Sequence, residues 1–169
     1  MENNSKIIII LVGIPHSGKT TFSNYLKEKY NYKVVSTDDI KRRIYKGGKY
    51  DVKHLFEIQK IELETLMMKN YSIIADSNNS KKIYRNDIIE LANKYNYKYY
   101  SVYIEANLED VKERLIRDNK NHVLNNLDFY INEIDLDDID FLIKNNNTTD
   151  YYDYIEEVVR KTNEKTRKK

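Results

Sequence analysis

Residues 13–20 read Gly-Ile-Pro-His-Ser-Gly-Lys-Thr and follow directly on six apolar residues, Ile7 to Val12. The pattern is G-x-x-x-x-G-K-[ST] between a strand-like run and a helix-like one, and it leaves a chain few folds to choose from. A buried strand must deliver the loop, and a helix must leave it with its first N–H groups aimed at an anion. Gly13 and Gly18 let the backbone curl, Lys19 can reach terminal phosphates, and the Thr20 hydroxyl can ligate Mg²⁺. We therefore expect Gly13, Pro15, His16, Ser17, Gly18, Lys19, Thr20 and Thr21 to surround the phosphates of a nucleoside triphosphate.

Strand-like and helix-like runs alternate along the rest of the chain. Lys19 to Tyr30 places Phe22, Tyr25 and Leu26 on one helical face. A short β-rich run, Tyr32 to Ser36, ends at Thr37-Asp38-Asp39, and Asp51 to Asn70 has helical spacing of Leu55, Phe56, Leu63, Leu66 and Met67. Tyr71 to Ala75 reads as a third strand ending in Asp76, and Lys81 to Asn96 as an amphipathic helix. Lys98 to Glu105 is a fourth strand and Leu108 to Arg117 a helix; Phe141-Leu142-Ile143 is a fifth strand and Asp150 to Lys161 a closing helix. Strands separated by helices predict an α/β fold, a parallel sheet with helices on both faces. Ligands of such sheets bind beyond the carboxyl ends of the strands, which gathers Gly13, Asp38, Asp76 and Glu105 or Asn107 around one crevice.

With 169 residues and no Pro/Gly/Ser-rich linker, one domain is expected over 1–169. Residues 118–137 are polar and poorly periodic, either a mobile lid or a loop with a helical turn, and a lid is expected at about 114–137. The chain has no Cys, which removes disulfides, thiol nucleophiles and Cys-based zinc sites. His54 and His122 are far apart in sequence and suggest no metal site of their own. A net charge of +2 gives no strong field for polyanions, although Lys41-Arg42-Arg43 and the tail (about 162–169) concentrate basic residues. No stretch approaches the roughly 20 apolar residues of a membrane span. The run from Ile7 is followed by the glycine loop and not by a cleavage site, so a cytoplasmic protein without membrane contact is expected. Oligomeric state is not legible.

A triphosphate site does not specify a reaction. Asn93-Lys94-Tyr95-Asn96 lacks the Asp of a guanine-reading element, and the chain is short for a motor or AAA-type ATPase. A small kinase remains. Phosphoryl transfer to a hydroxyl needs a carboxylate near the acceptor and cations around the moving group. Asp38 and Asp39 stand where such a base belongs, the alternative for either being a helix N-cap. Asp76 can hold the metal's water shell or contact the acceptor, or else form a turn with Ser77-Asn78-Asn79.

Val35-Ser36-Thr37-Asp38-Asp39-Ile40-Lys41-Arg42 resembles the "S-x-D-D-I-R" strand end of the polynucleotide 5′-hydroxyl kinase-like P-loop kinases, ATP-binding kinases of AAA_33 type. Ile73-Ile74-Ala75-Asp76-Ser77-Asn78-Asn79 is similar to that family's D-A-T-N strand end, with Arg85 nine positions after the Asp as the family has it. Arg114 and Arg117 resemble its R-x-x-R helix, and Phe141 to Thr148 its last strand and turn beside the adenine. The resemblance runs from about Ile7 to Arg160. It implies a three-layer α/β/α sandwich with strand order 2-3-1-4-5, ATP and Mg²⁺ as cofactors, and transfer of the γ-phosphoryl group to a hydroxyl. The 5′-hydroxyl of DNA or RNA is the first candidate acceptor.

By position, the resemblance makes Asp38 the general base, Lys19 and the loop the phosphate holders, and Thr20 and Asp76 the Mg²⁺ side. Arg114 and Arg117 neutralise the moving phosphoryl group, and Asn146 lies beside the base. Asp38, Lys41, Arg42, Asp76, Asn78 and Arg85 face the acceptor. The chain departs from the pattern at Lys41, which replaces an Arg fork by a point charge, and at Asn78, which stands for Thr. On the same scaffold a nucleoside, a sugar or an aminoacyl-tRNA is an alternative acceptor, and a non-catalytic ATP sensor an alternative function.

Overall fold

The structure, a computed structural model, describes residues 6–167. Its centre is β1 (Ile7–Val12), all six residues of which are buried. A strand this apolar on both faces needs a layer on each side, and it has them. Ile7, Ile9 and Leu11 pack with Phe22 and Leu26 of α1 (Lys19–Tyr30) and with Tyr151, Ile155, Val158 and Val159 of α8 (Asp150–Arg167). Ile8 and Ile10 face the other way, onto Leu55, Leu63 and Met67 of α3 (Val52–Met68) and Ile88, Leu91 and Ala92 of α4 (Lys82–Lys94).

Around β1 the sheet is completed by β2 (Lys33–Ser36), β3 (Ile73–Asp76), β4 (Lys98–Ala106) and β5 (Phe141–Asn145), in the order β2-β3-β1-β4-β5 and parallel throughout. This is the expected three-layer fold and strand order. All five carboxyl ends lie on one edge. The register sets Ser36 beside Asp76, so the β2 and β3 acids are carried by neighbouring strand ends.

Three segments differ from the sequence reading. The helix after β2 is α2 (Thr37–Ile40), which widens into a π-helical turn over Lys41–Tyr45 and stops at Lys46, whose φ of 49° is left-handed. The stretch expected to be irregular is built: α5 (Leu108–Arg117) is followed by α6 (Asn121–Leu124) and α7 (Leu127–Asn132). Val111, Leu115, Val123 and Leu127 close a third apolar cluster over Ile14 of the glycine loop. The periodicity was hidden because each helix is too short to display a stripe. α8 also outruns its expected end at Lys161, since Thr162 continues the buried face; residues 168–169 of the basic tail lie outside the described residues. Among the described residues no helix is long and apolar enough to cross a membrane.

Candidate functional site

The loop after β1 closes on itself and is held from outside. Ser17 N–H donates to the Ile14 carbonyl at 3.2 Å, and His16 and Gly18 take left-handed φ of 61° and 112°. At Gly18 a Cβ would run into the Asn145 amide, and at Gly13 it would stand 2.6 Å from Ser17 Oγ and 3.0 Å from the Ile104 carbonyl. The two glycines are thus fixed by conformation and by close approach. Asn145 Nδ2 donates to Ser17 O at 2.8 Å and Tyr151 Oη to Gly18 O at 2.8 Å. Lys19 Nζ folds back onto the carbonyls of Gly13 (2.8 Å) and Ile14 (2.9 Å). Desolvation pulls the Lys19 pKa down, and the nearby carboxylates of Asp76 and Asp38 push it back up. An ammonium among carbonyls, short of counter-charge, is the arrangement a phosphate completes.

Thr20 and Thr21 are exposed at the start of α1, and Pro15 and His16 are half-buried along the loop. Ser17 Oγ is buried and unpartnered. Among the described residues no three His, Asp or Glu side chains converge on a metal position. The Thr20 hydroxyl and the Asp76 carboxylate are hard oxygen donors that suit Mg²⁺ sharing phosphate oxygens and water, the usual mode for that ion.

Asp76 is carried in by the end of β3. One of its oxygens lies 3.2 Å from Ser23 Oγ, whose hydroxyl also faces the Lys19 carbonyl at 2.9 Å. Burial raises the Asp76 pKa, and Lys19 lowers it in part. On β2 the cap question has an answer: Ser36 Oγ accepts from Asp39 N–H at 3.3 Å, so neither Asp caps α2. Asp39 instead binds Arg42 (2.5 Å) and Arg43 (2.8 Å), and the Arg43 and Arg42 guanidiniums hold its pKa down. Asp38 is left free of backbone duty. Its side chain is 89% exposed, 3.4 Å from Lys41 Nζ, and its charge is felt by both Lys19 and Asp76.

Arg114 Nη1 donates to the His16 carbonyl at 2.9 Å, and Arg117 Nε lies 3.1 Å from Asp118. His16 Nδ1 is 3.5 Å from Asp118, and desolvation keeps its pKa below 6.5 despite that carboxylate. Asp110, Glu113, Arg114, Arg117 and Asn147 line a polar recess of about 200 Å³ beside the loop.

Arg85 requires a correction. Expected toward the acceptor, it is 1% exposed, and its guanidinium is consumed by four carbonyls: Asn79 (2.9 Å), Ser80 (2.9 Å), Asp135 (3.0 Å) and Asp137 (2.6 Å). It clamps the loop after β3 to the turn after α7. Asn78 is exposed and accepts from Ser80 N–H at 3.4 Å. Its neighbour Asn79 is buried and donates to the carbonyls of Leu11 (3.0 Å) and Ala75 (3.2 Å), within a chain of bonds through Ser77 to Gln59. Asn146, expected beside the base, is exposed, and Asn145 and Asn147 do the contacting. Sequence reasoning missed Asn145, Tyr151, Ser23 and Gln59. Asn145 had one usable signal, its place at a strand's carboxyl end; Tyr151 had none among 16 tyrosines.

Two acids, a half-buried lysine and a helix N-terminus around one loop are the parts of a phosphoryl-transfer site. The family model AAA_33, described as AAA domain, matches residues 8–129. The chain belongs to that family. It is similar to shikimate kinase of Clostridium botulinum (strain Okra / Type B1), 26% identical over 125 residues, 69% of this chain and 66% of that enzyme's length. Among solved structures, a candidate kinase from Chloroflexus aurantiacus shares the fold with a TM-score of 0.73 at 16% identity, covering 95% of this chain and 97% of that one. The Pnkp1/Rnl/Hen1 complex matches at a TM-score of 0.57 and 21% identity, over 65% of this chain and 39% of that one. The AAA_33 chain is a kinase-like P-loop NTPase. The specific polynucleotide-kinase subgroup expected from the sequence is not what the wider match delivers: small-molecule kinases stand beside it.

Proposed function

We propose that the chain transfers the γ-phosphoryl group of ATP to a hydroxyl, with the 5′-hydroxyl end of a polynucleotide as acceptor. Lys19 and the loop N–H groups hold the donor phosphates, and Thr20 and Asp76 would hold Mg²⁺, which screens their charge. Arg114 and Arg117 approach from the lid side. Asp38 accepts the proton as the acceptor oxygen attacks.

The observation that carries this reading is the freedom of Asp38. Ser36 has taken the capping role, so the Asp38 carboxylate is left with an exposed ion pair to Lys41, and its charge reaches Lys19 and Asp76. Its 89% exposure supports a large acceptor that brings its hydroxyl to an open front. The similarity to shikimate kinase favours a second reading, a small hydroxyl acceptor.

The test is incubation with γ-labelled ATP, Mg²⁺ and a panel of 5′-hydroxyl RNA, 5′-hydroxyl DNA, nucleosides and small hydroxy acids. Label on RNA or DNA that disappears with Asp38→Asn is expected. Label only on a small acceptor moves the assignment to the second reading. No transfer at all, with equal ATP hydrolysis by wild type and Asp38→Asn, refutes both.

A further inference from the structure

Beyond Asp38 the surface is not featureless. Lys41 Nζ lies 3.4 Å from the Asp38 carboxylate and 4.7 Å from the centre of the Tyr50 ring, so one ammonium bridges the two. The Tyr50 ring is followed by Tyr45 at 6.0 Å, and Tyr45 Oη lies 2.8 Å from His54 Nδ1. Tyr50 is 44% exposed although it is aromatic and sits in a segment where most neighbours are charged. Lys46, Lys49 and Lys53 are exposed around it, as are Arg42 and Arg43. Over residues 38–54 six cations face three carboxylates, while the whole chain carries only +2. This segment is one of two basic concentrations in the sequence, the other being the tail, and it is the one that carries Asp38.

A ring open to solvent, beside a cluster of cations and within one nucleotide's reach of a candidate base, is the chemistry of single-stranded nucleic-acid binding: bases stack on aromatic side chains while cations follow the backbone. We infer that Tyr50, backed by Tyr45 and His54, is a stacking platform for the terminal base of a single-stranded acceptor, which displaces the Lys41 ammonium from over the ring to join Lys46 and Lys49 along the phosphates. This rests on the polynucleotide reading above and narrows it: the acceptor is an unpaired 5′ end.

The experiment measures KM and kcat for a short 5′-hydroxyl single strand and for the same strand in a blunt duplex, with wild type, Tyr50→Ala and Tyr50→Phe. Tyr50→Ala should raise KM for the single strand by about tenfold with kcat within about twofold, and Tyr50→Phe should restore it. Wild type should prefer the single strand, and Tyr50→Ala should narrow that preference. Lys49→Ala should lower the slope of log KM against log salt by about one. If wild type phosphorylates oligonucleotides and Tyr50→Ala leaves KM within twofold, the platform is refuted while the polynucleotide reading stands. If wild type phosphorylates no oligonucleotide, the acceptor reading itself falls and the platform with it.

Discussion

Removing the Arg85 side chain should destabilise the protein without first disabling the acceptor. Its four carbonyl partners fall into two pairs: those of Asn79 and Ser80 are buried, and those of Asp135 and Asp137 are partly open to water. In Arg85→Ala the open pair can be rehydrated, so only the buried pair counts in full. Hydrogen bonds to a charged donor are worth about 1.5–3 kcal/mol each, which gives about 3–6 kcal/mol for two. The guanidinium's own desolvation, visible in its lowered pKa, no longer has to be overcome and trims that toward the lower end. Against a total of about 5–15 kcal/mol this is a large fraction. At a urea m-value of about 2 kcal/mol/M the midpoint should fall by roughly 1.5–2 M. Far-UV circular dichroism in urea measures it, with Arg85→Lys as the intermediate case, because an ammonium keeps the charge but cannot span both loops. A loss below about 1 kcal/mol in Arg85→Ala, together with a raised acceptor KM, would refute the clamp and return Arg85 to the acceptor side.

Asp76→Asn should melt higher than wild type at neutral pH while losing phosphoryl transfer. Burial raises the Asp76 pKa above 3.8, so the penalty for its charge builds as the pH rises from 3.8 to the folded value and is fully present above it; the advantage of the amide should therefore vanish as the pH falls to 3.8. A lower melting temperature for Asp76→Asn at neutral pH would show that pairing with Lys19 outweighs burial. Tyr151→Phe removes the donor to the Gly18 carbonyl and should cost about 1 kcal/mol, a melting shift of about 2–4 °C, with weaker ATP binding by calorimetry. Unchanged affinity would mean that the loop keeps its shape without that bond.

The fold was legible because its signals are local. Ile7 to Val12 is apolar on both faces, and the loop that follows admits one kind of continuation. The helix expected at about Leu108 to Arg117 spans those residues, and Asn107 caps it. Of the candidate site, the sequence located what a strand end or the glycine loop carries: Asp76 at the end of β3, Asp38 just after β2, and Lys19 at the start of α1. Roles set by long-range partners were hidden. Arg85 carries the same charge whether it meets a substrate phosphate or the carbonyl of Asp137, 52 residues away. Asn145, Asn146 and Asn147 are identical in sequence, and the phase of β5 alone decides that the first is buried against Ser17.

The outside contacts of the glycine loop have a common sense. A peptide unit points its C=O and its N–H in opposite directions, so fixing the carbonyls outward fixes the amides inward. The carbonyls of Gly13 and Ile14 take Lys19, that of His16 takes Arg114, that of Ser17 takes Asn145 and that of Gly18 takes Tyr151. The donors come from α1, α5, β5 and α8, the layers around the loop. The concave row of N–H groups that favours an anion is thus a product of the surrounding fold as well as of the eight-residue motif, whose own Lys19 holds two of the carbonyls. Two of those donors, Lys19 and Arg114, are also the cations proposed to meet the phosphates. Asn145 and Tyr151 have no such second duty, and their bonds to the carbonyls of Ser17 and Gly18 hold the loop whether or not the two cations stay on theirs.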